Sequence, residues 1–126
     1  MATATRADVQ VAERFLDALG AGEWDAIGRL LAEDVQLRAL VPSTLREETG
    51  LEAVVARFDF WWAPLEDLQL LDAGIEPIAD QVRVHYRLAG TDPDDGPVVV
   101  EQQCYFTVAD GAITKINSVC SGFHPR

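Results

Sequence analysis

Lysine is almost missing from this chain of 126 residues: Lys115 stands alone beside nine arginines, against 21 aspartates and glutamates, for a formal charge of −11. The basic residues are scattered, so no patch exists that could displace counterions from nucleic acid or meet the phosphates of an anionic membrane. Both are excluded as partners, and the acidity reads as solubility. No apolar run approaches the length of a membrane-spanning helix, and the opening MATATRADVQVAERF carries no apolar signal-peptide core. These absences predict a cytoplasmic protein, in which Cys104 and Cys120 are free thiols. Two cysteines with only His85 and His124 match no zinc spacing, so neither a metal nor another cofactor is expected. Arginine in place of lysine, in an Ala- and Gly-rich chain, is the composition of a high-GC bacterial genome.

What is present is a core: 48% of the residues are hydrophobic, enough for one domain over residues 1–126. Val9, Ala12, Phe15, Leu16 and Leu19 recur at helical spacing and predict a first helix that Gly20 and Gly22 stop. Trp24, Ile27 and Leu31 predict a short second helix, and Val35 to Leu40 a strand. PSTLREETG reads as a loop. Thr49 and Glu52 have capping-box spacing, which starts a third helix there. Its inner face is Leu51, Val55, Phe58 and Trp62, with Val54 and Trp61 at the margin, and Pro64 closes it. LEDLQLLDAGIEPI fits a strand. Residues 81–89 alternate Val82, Val84, Tyr86 and Leu88 against Arg83, His85 and Arg87, the period of a sheet with two unlike faces. The turn TDPDDGP leads to VVVEQQCYFTV. ADG at 109–111 predicts a three-residue hairpin loop before a last strand, Ala112 to Ser121.

That loop pairs Val108 with Ala112, Cys104 with Ile116, Gln102 with Ser118, and Val100 with Cys120. Inward it places Val100, Gln102, Cys104, Phe106, Thr114, Ile116, Ser118 and Cys120, apolar with a few small polar groups, as ligand pockets are. Outward it places Glu101, Gln103, Tyr105 and Asn117, and with them Ile113, Lys115 and Val119. A slip of one residue would exchange the faces. Cys104 and Cys120, four residues apart in this register, are expected ~13 Å apart, too far for a disulfide.

Over nearly its whole length the chain resembles the NTF2-like superfamily, in its SnoaL-like and ketosteroid-isomerase-like branch. The resemblance is carried by AERFLDALGAGEWDAIGRLLAEDVQL, TGLEAVVARF and FTVADGAITKI. It implies an α+β cone, a curved antiparallel sheet wrapped around three N-terminal helices, whose concave face lines a pocket and whose convex face is often a dimer interface. The steroid-isomerase branch uses a Tyr and two Asp. Phe15, Ala39 and Cys104 occupy those positions here, and none can do their work, so that activity does not carry over. The Asp-Arg-Asp set of the epoxide-hydrolase branch is not evident either.

Two functions remain. One is a cyclase, isomerase or dehydratase acting on a small hydrophobic molecule of polyketide or terpenoid type, through hydrogen bonds from Gln102, Tyr86 and Ser118. The other is a non-catalytic binding or dimerisation module. The expected partners are such a molecule and a second copy of the chain. The pocket candidates are Phe15, Ala39, Phe58, Trp62 and Tyr86 with, from the last hairpin, Gln102, Cys104, Ile116, Ser118 and Cys120. Gln102 either meets a ligand or bonds to Ser118 across the hairpin. Cys104 has no inward base and reads as packing. His85 points outward to a surface or interface beside Glu101. Trp61 borders the mouth, and Arg46 is a solvated loop residue.

Overall fold

The computed structural model describes residues 3–126. Two helices, α1 (Arg6–Ala21) and α2 (Trp24–Gly28), precede a hairpin of β1 (Leu31–Val41) and β2 (Thr44–Thr49). Helix α3 (Leu51–Trp62) follows, then β3 (Glu66–Ile78), β4 (Gln81–Asp92), β5 (Gly96–Ala109), β6 (Ala112–Cys120) and the two-residue β7 (His124–Pro125). The strands form one sheet in the order β2-β1-β6-β5-β4-β3, with β7 beside the start of β5. All pairs are antiparallel except β1 with β6, which run parallel. Val11, Phe15 and Leu19 of α1 and Val54, Phe58 and Trp62 of α3 are buried against the inner residues of β1, β4, β5 and β6. This is the α+β NTF2-like cone.

Each end of α1 has a local cause. Thr5 and Asp8 satisfy each other's backbone N–H groups as a capping box, and Gly22 adopts the left-handed conformation that ends the helix. The box expected from Thr49 and Glu52 does not form. Thr49 is paired with Gln36 in the sheet, so Gly50, at φ 97, takes the N-cap position without a side-chain hydrogen bond. The inner face of α3 holds at Phe58 and Trp62, but in its first half Val54 is sealed while Leu51 and Val55 are half-buried.

PSTLREETG is not a loop. Pro42 and Ser43 form a tight turn, and TLREET returns as an edge strand, with Arg46 opposite Ala39. Five of its six residues are exposed, so it has no apolar alternation to reveal it. Charges on both faces are how an exposed sheet edge resists pairing with another chain.

The β5–β6 hairpin differs from its expected register in an instructive way. Its loop has two residues, Asp110 and Gly111, both at positive φ, with Ala109 opposite Ala112. Alone, that turn would have reversed the faces of the strand. A bulge past Val108 and Ile113 adds one residue on β6 and restores them. Gln102 therefore faces Cys120, Cys104 faces Ser118, and Phe106 faces Ile116, two residues from the expected pairs but with the same inward set apart from Thr114. Ile113 is the exception: it is completely buried, not outward, and Thr114 is the extra residue, its hydroxyl donating to the Thr107 carbonyl. Cys104 and Cys120 are free thiols. They are two residues apart in register, which puts them ~8 Å apart rather than ~13 Å, still beyond disulfide reach.

Candidate functional site

The middle of the cone is filled. Phe15 meets Phe106 edge-on at 4.9 Å between ring centroids, and Phe58 stacks on Trp62 at 5.0 Å. Tyr86 closes against Phe15 and Trp62. Ala39, Ile116 and Ser118 are buried in the sheet layer beneath. Space remains at one end, where a cavity of about 250 Å3 is bounded by Trp61 and Trp62 of α3, Val41 and Pro42 of the first hairpin, and Val100, Gln102, Cys120 and Phe123. Pro42, Phe60 and Phe123 are its exposed members. A larger hollow of about 1300 Å3 between α2 and α3 is a broad surface groove. It carries Asp25, Glu33, Glu52 and Asp59 around Arg29, and converges no buried polar group.

The cavity lies where the chain leaves the sheet and returns. After Cys120, residues Ser121 to Phe123 arch away from the sheet before β7 rejoins β5 opposite Val98 and Val99. Gly122 is left-handed at φ 76, and a Cβ there would lie 2.6 Å from the Pro42 ring. Only glycine lets the arch pack this closely on the first hairpin.

Behind the cavity is a short polar chain. The Tyr86 hydroxyl donates to Gln102 Oε1, and the Cys104 thiol lies 3.9 Å from the Tyr86 oxygen, donating to it. Tyr86 and Gln102 are direct cross-strand neighbours on β4 and β5. Every fully buried side-chain nitrogen and oxygen among the described residues has a partner. Burial holds the Tyr86 hydroxyl well above the usual phenol range, with Cys104 adding to it. It pushes the Cys104 thiol up to about 12, although the Tyr86 hydrogen bond pulls the other way. Both groups are protonated at neutral pH, so Cys104 is no thiolate nucleophile.

Of the sequence-derived candidates, Trp62, Gln102 and Cys120 line the cavity. Tyr86 and Cys104 stand behind Gln102, while Phe15, Ala39, Phe58, Ile116 and Ser118 lie in the packed interior. The bond weighed between Gln102 and Ser118 is absent, because Ser118 lies opposite Cys104 and the amide is turned to Tyr86. Trp61 does border the cavity. Phe60, Pro42 and Phe123 were not anticipated. An apolar residue just past the last strand, after Gly122, was the available signal for Phe123.

Outside the sheet, His85 lies over Gly74, where a Cβ would overlap its ring, and opposite Gln103. Glu101 is instead paired with Arg87. Leu40, Leu45, Val119 and Tyr105 are exposed on this face and bound a shallow depression.

A curved sheet closed by helices over an end cavity is the NTF2-like architecture. Residues 12–116 match the SnoaL-like domain, and the chain belongs to that family. Among curated proteins none matches it. A proposed polyketide cyclase from Xanthomonas campestris is 27% identical over 88% of this chain and 90% of its own, with a TM-score of 0.70. A proposed ketosteroid isomerase from Kribbella flavida is 24% identical, covering 98% of this chain and 85% of its own, also at 0.70. An NTF2-like protein from Burkholderia xenovorans, 17% identical over 95% and 93%, superposes at 0.71. The last two are similar in fold alone. No helix among the described residues is long and apolar enough to cross a membrane.

Proposed function

We propose that this SnoaL-like domain binds a small hydrophobic molecule in the cavity between Trp62, Gln102 and Phe123. The observation that carries this reading is a cavity with an apolar lining into which one buried amide, Gln102, is set. Apolar walls supply affinity, and a single fixed polar group supplies orientation. No side chain of the lining is a carboxylate, a histidine or an activated nucleophile, which favours binding without turnover. Native mass spectrometry of freshly purified protein tests it. A co-purifying neutral small molecule, lost on denaturation, is expected. Protein that stays empty and whose tryptophan fluorescence ignores every apolar ring compound offered would overturn it.

The 27% identity to a proposed polyketide cyclase favours a second reading, in which the bound molecule is cyclised, isomerised or dehydrated. The chemistry would rest on hydrogen bonding from Gln102, since no base adjoins the cavity.

We further propose that the chain acts as a homodimer through the outer face of the sheet. Leu40 lies beside both Leu45 and Val119, a contiguous exposed apolar row of the kind that marks interfaces. Around it Arg38 pairs with Glu47, Arg83 with Glu76 and Arg87 with Glu101. This face is therefore close to neutral in a chain of charge −11, and two copies can approach there without the repulsion their acidic surfaces would otherwise impose.

A further inference from the structure

The two non-aromatic polar side chains of the cavity each already accept one hydrogen bond. Gln102 Oε1 receives the Tyr86 hydroxyl. Cys120 Sγ receives the backbone N–H of Gly122 at 3.4 Å. The amide oxygen carries no proton, so in the first bond the Tyr86 hydroxyl is the donor. With Oε1 turned to Tyr86, the amide presents Nε2 to the cavity, and Nε2 carries only donors. The Cys120 thiol adds a weak donor, its sulfur already accepting from Gly122, and the indole N–H groups of Trp61 and Trp62 only donate. No side chain of the lining is cationic.

We infer that the cavity selects an uncharged molecule of one or two rings whose polar group is a hydrogen-bond acceptor: a ketone, ester or lactone carbonyl held by Gln102 Nε2. This inference rests on the reading of the cavity as a binding site. Charge is disfavoured because an anion would meet an apolar lining without a counter-charge. Size follows from a volume of about 250 Å3, below the ~300–1,000 Å3 of pockets for drug-sized ligands. A four-ring skeleton would not be enclosed by it. A ligand whose polar group only donates finds the Gln102 carbonyl turned toward Tyr86. Tyr86 is thus a positioning residue: it touches no ligand but decides which end of the amide the ligand meets.

The test compares α-tetralone with tetralin, the same two-ring skeleton without the carbonyl, by equilibrium dialysis. The expected result is that α-tetralone binds about 2- to 10-fold more tightly, the range of one neutral hydrogen bond, and that its carbonyl stretch moves to lower frequency on binding. In Gln102→Leu both the preference and the frequency shift should vanish while tetralin still binds. If that variant does not fold, Tyr86→Phe/Gln102→Leu, which strands no hydroxyl, serves instead. In Tyr86→Phe the amide is free to turn, and the margin of α-tetralone over its alcohol, α-tetralol, should shrink. Equal affinity for α-tetralone and tetralin in the unsubstituted protein would overturn this inference and leave the binding reading standing. A margin over α-tetralol unchanged in Tyr86→Phe would overturn the role of Tyr86. Binding of neither probe would overturn this inference, and if the protein also stays empty on purification and ignores every other ring compound, the binding reading falls with it.

Discussion

The hydroxyl of Tyr86 and the side-chain amide of Gln102, direct neighbours across β4 and β5, are hydrogen-bonded in the interior of the cone. Each satisfies the other at a place water does not reach freely, so removing one partner costs more than removing both. Gln102→Leu leaves the Tyr86 hydroxyl without an acceptor and is expected to destabilise the fold by about 1–3 kcal/mol. Tyr86→Phe/Gln102→Leu should recover much of that loss. Urea denaturation of the two single variants and the double variant reads the coupling directly. A Gln102→Leu protein as stable as its parent would show that the bond contributes nothing.

Stability should fall on the alkaline side. The Cys104 thiol titrates near 12 in the fold and near 9 in the open chain. Its pKa is raised by folding, so its contribution is complete below pH 9 and is lost as pH rises through the window from 9 to 12. The loss amounts to roughly 4 kcal/mol once both values are passed, and Tyr86, also raised, adds to it in the same direction. Denaturant unfolding across the alkaline range should show this decline, and Cys104→Ala should flatten its lower part. A parallel check is a thiol reagent under native conditions, which should modify half-buried Cys120 and spare Cys104.

No isomerisation of β,γ-unsaturated ketosteroids is expected. The branch's Tyr and two Asp are replaced by Phe15, Ala39 and Cys104, all sealed in the core, and Cys104 is a protonated thiol at neutral pH. Following the absorbance of the conjugated product with protein and with buffer alone decides this. Turnover clearly above buffer would require an acid and a base elsewhere in the chain.

If the outer sheet face joins two copies, a charge at its centre should separate them. Val119 is 55% exposed between Leu40 and Gln103, so Val119→Arg strands no core contact while placing two like charges near each other across a two-fold axis. The expected result by light scattering is a dimer for the parent and a monomer for Val119→Arg, with unchanged thermal stability of the monomer fold. A monomeric parent would remove the proposal.

The helices and the central strands were legible because their residues declare themselves by local period. Phe15 and Leu19 mark α1 at helical spacing, Phe58 and Trp62 mark α3, and Val82 to Leu88 alternate along β4. The inward direction of Gln102 and Cys104 was legible for the same reason: alternation fixes which residues share a face even when the pairing partner is misplaced by two. Where a segment has no period, its sequence is silent. TLREET became an edge strand only because β1 offered it a free side. Thr49 lost its capping role to that pairing. The bulge that buries Ile113 depends on two strands held in register by the rest of the sheet. The cavity itself was decided last. It exists because Trp62, Val41, Gln102 and Phe123, far apart in the chain, meet at the end of the cone without filling it. How well such distant side chains fill a shared space is a property of their volumes in three dimensions, which no local pattern of residues contains.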